Sequence, residues 1–270
     1  MKNILFAASE CVPFVKTGGL ADVVGALPKS LDKEKYDVRV VIPDYTSIPQ
    51  KYRSRFSYFD SFYMDLGELG NFYVGIMTCE FDGIRYYYID NEHFFQGERL
   101  YSDILWDIQK FSFFSKAVLS MLPVIGFRPD IIHCHDWQTA LIPVFLHEMF
   151  QNNPFFRGIR TIMTVHNLKF QGIWDIQTMR RFTGLPGHVF TLGRMEFHRD
   201  ANMLKGGLVY ADRITTVSNT YANEIRMPYY GEGLDGLLNA RSDSLWGIVN
   251  GIDYDLYNPA TDTMIAENYD

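Results

Sequence analysis

Lys16-Thr17-Gly18-Gly19-Leu20-Ala21-Asp22 is a stretch suited to holding an anion. It follows an apolar run at 4–8, which reads as a buried strand. It precedes 23–27, which reads as the beginning of a helix. Two glycines let the backbone come close to a phosphate, and the first amides of a helix point at such a group. Lys16 adds a mobile positive charge. Asp22 belongs at the helix mouth, where it could cap the amides or accept from a sugar hydroxyl. Taken alone, the stretch is equally an ordinary strand–turn–helix connection with a solvated lysine.

Three further polar groups follow apolar runs. His133-Cys134-His135-Asp136 comes at the end of a short strand expected at 130–133. His166-Asn167 follows a strand at 160–165, and Asn250-Gly251 a last strand at 245–249. In an open parallel sheet, ligands bind beyond the carboxyl ends of the strands. Parallel strands would therefore gather the glycine loop, a carboxylate, an imidazole and an amide on one rim. That set suits a phosphorylated, hydroxyl-rich ligand. Metal ligation by 133–136 is disfavoured, because adjacent strand residues point to opposite faces. Asp136 has two open roles, capping the helix that starts near residue 138 or touching substrate. His166-Asn167 could be a turn with satisfied side chains. Glu10 and Cys11 are expected to shape the first loop. Lys205-Gly206-Gly207-Leu208 imitates a second glycine loop but lies inside a helical pattern, so helix packing accounts for it better.

These groups need a scaffold of alternating strands and helices. A strand at Tyr36–Pro43 completes a right-handed strand–helix–strand unit. Residues 44–55 read as loop. Segments 56–64, 72–81 and 84–89 are rich in aromatic and β-branched residues, with a hairpin turn at 81–84, and read as an antiparallel or mixed insertion spanning about 56–90. An aromatic loop at 91–101 leads to a helix at 103–122 whose aromatic stripe is core. Beyond it come helices at 139–149, 175–182, 203–210 and 220–226, a strand at 213–217, and a loop with a helical turn at 231–239. The expected fold class is α/β, a doubly wound, mostly parallel Rossmann-like sheet.

Composition excludes several classes. The 270 residues suffice for one large domain or two modest ones. A net charge of −7 argues against nucleic acid or an anionic membrane as partner. Three scattered cysteines suggest reduced thiols. With no signal peptide and no bilayer-length apolar run, a cytoplasmic protein is the expectation. The 16% aromatic content suits sugar stacking as well as core filling.

The residues from Lys16 to Val23 resemble the donor-binding loop of bacterial glycogen synthases and plant starch synthases. Further signatures of that family follow in its order: His133–Thr139, Thr164–Leu168, Phe170-Gln171-Gly172, Tyr210–Arg213, Thr215–Ser218, Gly233–Leu238 and Asn250–Asp253. The resemblance implies the N-terminal half of a GT-B glycosyltransferase, with a domain over 1–259. It implies that 260–270 begin a linker to a C-terminal domain that the sequence lacks. It also implies retaining transfer of glucose from ADP-glucose to an α-1,4-glucan, with no metal and no cofactor. In that scheme Lys16, Thr17, Gly18, Gly19, Asp22 and Asn250 bind the donor. His166 lies at the donor sugar, and Asp136 is the carboxylate near the acceptor or the reacting sugar. Two alternatives are a non-catalytic carbohydrate- or nucleotide-binding module and another GT-B enzyme, such as a sucrose-synthase-like protein. Gly206, where the family commonly has alanine, is a small departure.

Overall fold

The computed structural model describes residues 1–97, 99–254 and 257–269; of the expected linker at 260–270, Asp270 lies outside the described residues. Among the described residues, twelve strands form two sheets. The main sheet has nine, in the order β12-β11-β7-β6-β1-β2-β5-β4-β3. They are β1 (Lys2–Ala7), β2 (Tyr36–Pro43), β3 (Ser57–Asp65), β4 (Asn71–Phe81), β5 (Ile84–Asp90), β6 (Ile131–His135), β7 (Arg160–Val165), β11 (Arg213–Thr216) and β12 (Leu245–Gly247). All neighbours from β12 through β5 pair in parallel, while β4 and β3 run antiparallel. The 56–90 segment is therefore an extension of the main sheet: β5 docks in parallel on β2, placing Val41 opposite Tyr87. The small sheet joins β8 (Ile173–Asp175), β9 (Glu196–Phe197) and β10 (Asp200–Asn202).

β1 runs down the middle with Leu5, Phe6 and Ala7 fully buried, which explains its unbroken apolar run. From β1 the chain builds outward through β2 to β5, then returns to lay β6 on the other flank of β1. The order reverses between β1 and β6, so the crevice belongs there. Helix α1 (Gly19–Ser30) links β1 to β2. Short helices α2 (Gln50–Arg53) and α3 (Glu92–Phe95) interrupt the two expected loops. Helix α4 (Ile104–Val124) starts on an Asp103 cap, whose carboxylate accepts from the Trp106 amide at 3.0 Å; Phe111, Phe113 and Phe114 are completely buried. The helix expected at 139–149 is broken into a 3-10 turn at Trp137–Thr139, helix α5 (Leu141–Phe145) and a π-helical turn at Leu146–Phe150. Helices α6 (Ile176–Thr183), α7 (Met203–Tyr210), α8 (Asn219–Glu224) and α9 (Asp235–Ala240) complete the layers.

The 205–208 motif lies inside α7, as expected. A Cβ on Gly207 would meet Ala140 Cβ at 2.7 Å and Ala140 backbone at 3.0 Å, so glycine here permits a close helix approach. The last strand ends at Gly247, so Asn250 sits three residues beyond it. The tail folds on itself through Asn268, which donates to the Pro259 and Asp262 carbonyls. No described helix is long and apolar enough to cross a membrane.

Candidate functional site

A cleft of about 870 Å³ opens at the carboxyl ends of the parallel strands. Thr17, Gly18 and Gly19 line it after β1, Asp136 after β6, His166 after β7 and Asn250 after β12. Six of the eight expected site residues thus share one cavity. Lys16 and Asp22 do not line it; they pair with each other just outside, Nζ to Oδ1 at 2.7 Å. The hydrogen bond to Asp22 holds the Lys16 ammonium above its ordinary pKa. Lys16 is not the free solvated cation of the simple loop reading, and Asp22 makes no cap bond to α1. Asp22 also accepts from the Tyr257 hydroxyl at 3.4 Å, so the tail touches the first turn of α1.

Glu10 shapes the loop from beneath. It is buried, and its carboxylate accepts from the Thr17 amide and from the Thr17 hydroxyl at 2.9 Å. Burial raises its pKa against these bonds and one from the Gly18 amide. The Thr17 amide is therefore engaged inward. The amides left at the cleft belong to the first turn of α1, which has no side-chain cap. A Cβ on Gly19 would meet nothing within 4 Å, and one on Gly18 only the Glu10 carboxylate at 3.9 Å. Neither has a positive φ. The fold itself does not demand glycine at these positions; the freed space opens on the cleft.

Of its two open roles, Asp136 does not take up the helix cap. Instead Oδ1 accepts from the His166 amide at 2.7 Å and the Asn167 amide at 3.4 Å, tying the loop after β6 to the loop after β7. Its φ is +55°, a costly conformation for a residue with a Cβ. Burial pushes its carboxyl up to about 7, opposed by the two amides. His166 is half-buried, with Nε2 at 3.0 Å from His135 Nδ1, and burial pushes it down to about 4.

His133 and His135 stack on one face of β6 with centroids 4.3 Å apart. His133 Nε2 meets Thr164 Oγ1 at 2.6 Å. Cys134, between them in sequence, is a separate buried free thiol. Among the described residues, no group of three or more His, Cys, Asp or Glu side chains could hold a metal ion.

Sequence reasoning missed several cleft residues. Tyr101 comes from the approach to α4, Asp107 from its first turn, and Lys169 and Phe170 from the loop after β7. Phe170 is 59% exposed. An aromatic residue next to a polar strand end is a signal that could have marked it as a sugar-facing surface. The shared face of His133 and His135 was readable from their spacing of two.

Residues 3–240 match the family model described as starch synthase catalytic domain. The glycogen synthase of Lachnospira eligens is 61% identical over 269 residues, covering 100% of this chain and 56% of the relative. That of Lachnoclostridium phytofermentans is 58% identical with the same coverage. A solved structure, the catalytic domain of starch synthase IV from Arabidopsis thaliana bound to ADP and acarbose, superposes with a TM-score of 0.89 at 31% identity, covering 100% of this chain and 55% of that one. The chain thus spans a little over half the length of the relatives it matches.

Proposed function

The chain belongs to the starch synthase catalytic domain family, and from that premise we propose that it is the donor-side half of a retaining glucosyltransferase that extends an α-1,4-glucan from ADP-glucose in the cytoplasm. The observation that carries the reading is the uncapped first turn of α1, approached through two glycines that the fold does not need, opening on the cleft that Asp136 and His166 share. Such a turn receives a diphosphate. The domain would run to residue 259, with 260–270 leading to a second Rossmann-like domain across the cleft.

Loss of a nucleoside diphosphate leaves developing negative charge, which preorganised donors stabilise. Lys16 would exchange Asp22 for the diphosphate, so that Asp22 becomes available to a glucose hydroxyl. Thr17 and Asn250 would flank the donor. His166 would sit at the glucosyl unit, its main-chain carbonyl facing the anomeric carbon as positive charge builds there. Asp136 fixes the loop that carries His166 and lies beside the reacting sugar or acceptor. The test follows radiolabelled glucose from ADP-glucose into glycogen with the native protein. Incorporation with retention of anomeric configuration is expected; none from any nucleotide glucose would refute the reading.

A further inference from the structure

His135 is fully buried, packed in a cluster of aromatic rings. His133 stacks on it, and Phe6 lies 5.8 Å away at an interplanar angle of 20°. Its two nitrogens have different fates. Nδ1 stands 3.0 Å from His166 Nε2, while Nε2 is sealed inside the protein with no hydrogen-bond partner among the described residues.

A neutral imidazole has one N–H and one bare nitrogen. Between two neutral rings, one nitrogen donates and the other accepts. If His166 donated from Nε2, His135 would accept at Nδ1 and carry its own proton on Nε2. That N–H would be a buried donor with nothing to meet, which folded proteins avoid more strictly than an unused acceptor. If His135 donates from Nδ1, only a lone pair is left at the sealed position. His166 Nε2 is then the acceptor, and the His166 proton must reside on Nδ1. Burial keeps both rings neutral at pH 7, with His166 held down to about 4 and His135 well below the ordinary histidine range.

We infer that His135 is a positioning residue that fixes the tautomer of His166, so that His166 carries an Nδ1–H donor at the cleft. His166 lines the cleft, and Nδ1 is the ring nitrogen that His135 does not hold. An Nδ1–H can donate to a hydroxyl or phosphate oxygen and cannot take a proton from one. His166 therefore acts through Nδ1 as a hydrogen-bond donor and not as a general base. That the oxygen belongs to a glucosyl unit rests on the transferase reading above; the tautomer does not.

The test is long-range proton–nitrogen correlation NMR on the native protein labelled in its histidine rings, with the His166 signals identified by their loss in His166→Ala. The expected wild-type pattern has the His166 proton on Nδ1. This is diagnostic because a solvated neutral imidazole prefers Nε2. In His135→Phe, which keeps the stacking and removes the donor, the proton should move toward Nε2. In His135→Asn, whose side-chain amide can still donate from the Nδ1 position, it should stay on Nδ1. A His166 proton on Nε2 in the wild type overturns the inference even if no variant folds. An unchanged Nδ1–H in His135→Phe overturns the positioning role. Failure of glucosyl transfer with the tautomer as described would count against the transferase reading alone.

Discussion

A methyl group added to Gly19 would meet no protein atom within 4 Å, at a backbone angle any residue adopts. Gly19→Ala should therefore leave thermal stability within about 0.5–1 kcal/mol of wild type. The methyl would occupy the approach to the α1 amides, however, so ADP-glucose binding should weaken about tenfold or more, equivalent to about 1.4 kcal/mol. Calorimetric unfolding and titration of the same sample separate the two effects; unchanged donor affinity would remove the glycine loop from the site. Asp136 makes a second prediction through its carboxyl, raised from 3.8 to about 7. Between those values the folded protein keeps a proton that the unfolded chain has released, so raising the pH favours unfolding. Relative to Asp136→Asn, wild-type stability should fall by about 1.4 kcal/mol per pH unit across that window and level off outside it. Urea unfolding of both proteins from pH 4 to 8 measures the slope, and parallel curves would show an Asp136 that ionises normally.

Among the elements, α7 and the turn at Trp137–Thr139 depend on one missing side chain. Gly207→Ala would push Ala140 away, and Asp136 stands four residues earlier, at the start of the same turn. A loss of about 1–3 kcal/mol in urea unfolding is expected, the usual cost of overpacking; an unaltered midpoint would show that the helix can retreat freely. The regular elements were legible because their periods are strong. The expected strand at 160–165 and helix at 203–210 coincide with β7 and α7. The three short strands of the small sheet carry too few residues for any period to show. The break between α5 and its π-helical turn is invisible to a pattern that sees only apolar spacing. At the site, the polar groups at the strand ends were readable because parallel strands share one rim. The Lys16–Asp22 pair, the Glu10 bond to Thr17 and the Asp136 bond to the His166 amide depend on how loops fold back. No local residue preference encodes such contacts.

At the scale of the molecule, the described residues form a wall along the carboxyl-end rim of the sheet. The chain alone should fold, because its buried apolar residues form one continuous core. It should not synthesise glucan, because a donor clamped from one side stays wet and poorly oriented. Binding of ADP-glucose by residues 1–270 should be on the order of millimolar or weaker. The labelled-glucose assay, run with this chain alone and with a separately made partner domain added, would decide; robust incorporation by the chain alone would show that this wall holds the whole apparatus. The central place of β1 has a further consequence, for synthesis. One neighbour of β1 comes from residues 36–43, but the other must close a loop in which Asn3 meets Asp130, 127 residues on. As the chain leaves the ribosome, β1 to β5 can assemble while the opposite edge of β1 has no mate. The roughly 40 residues from 91 to 131 take about 2–8 s to translate at ordinary rates. For that interval the nascent sheet exposes an open, apolar edge through Leu5 and Phe6, a docking place for a holding chaperone and a hazard on crowded polysomes. The rim of the cleft comes into being only after that edge is closed.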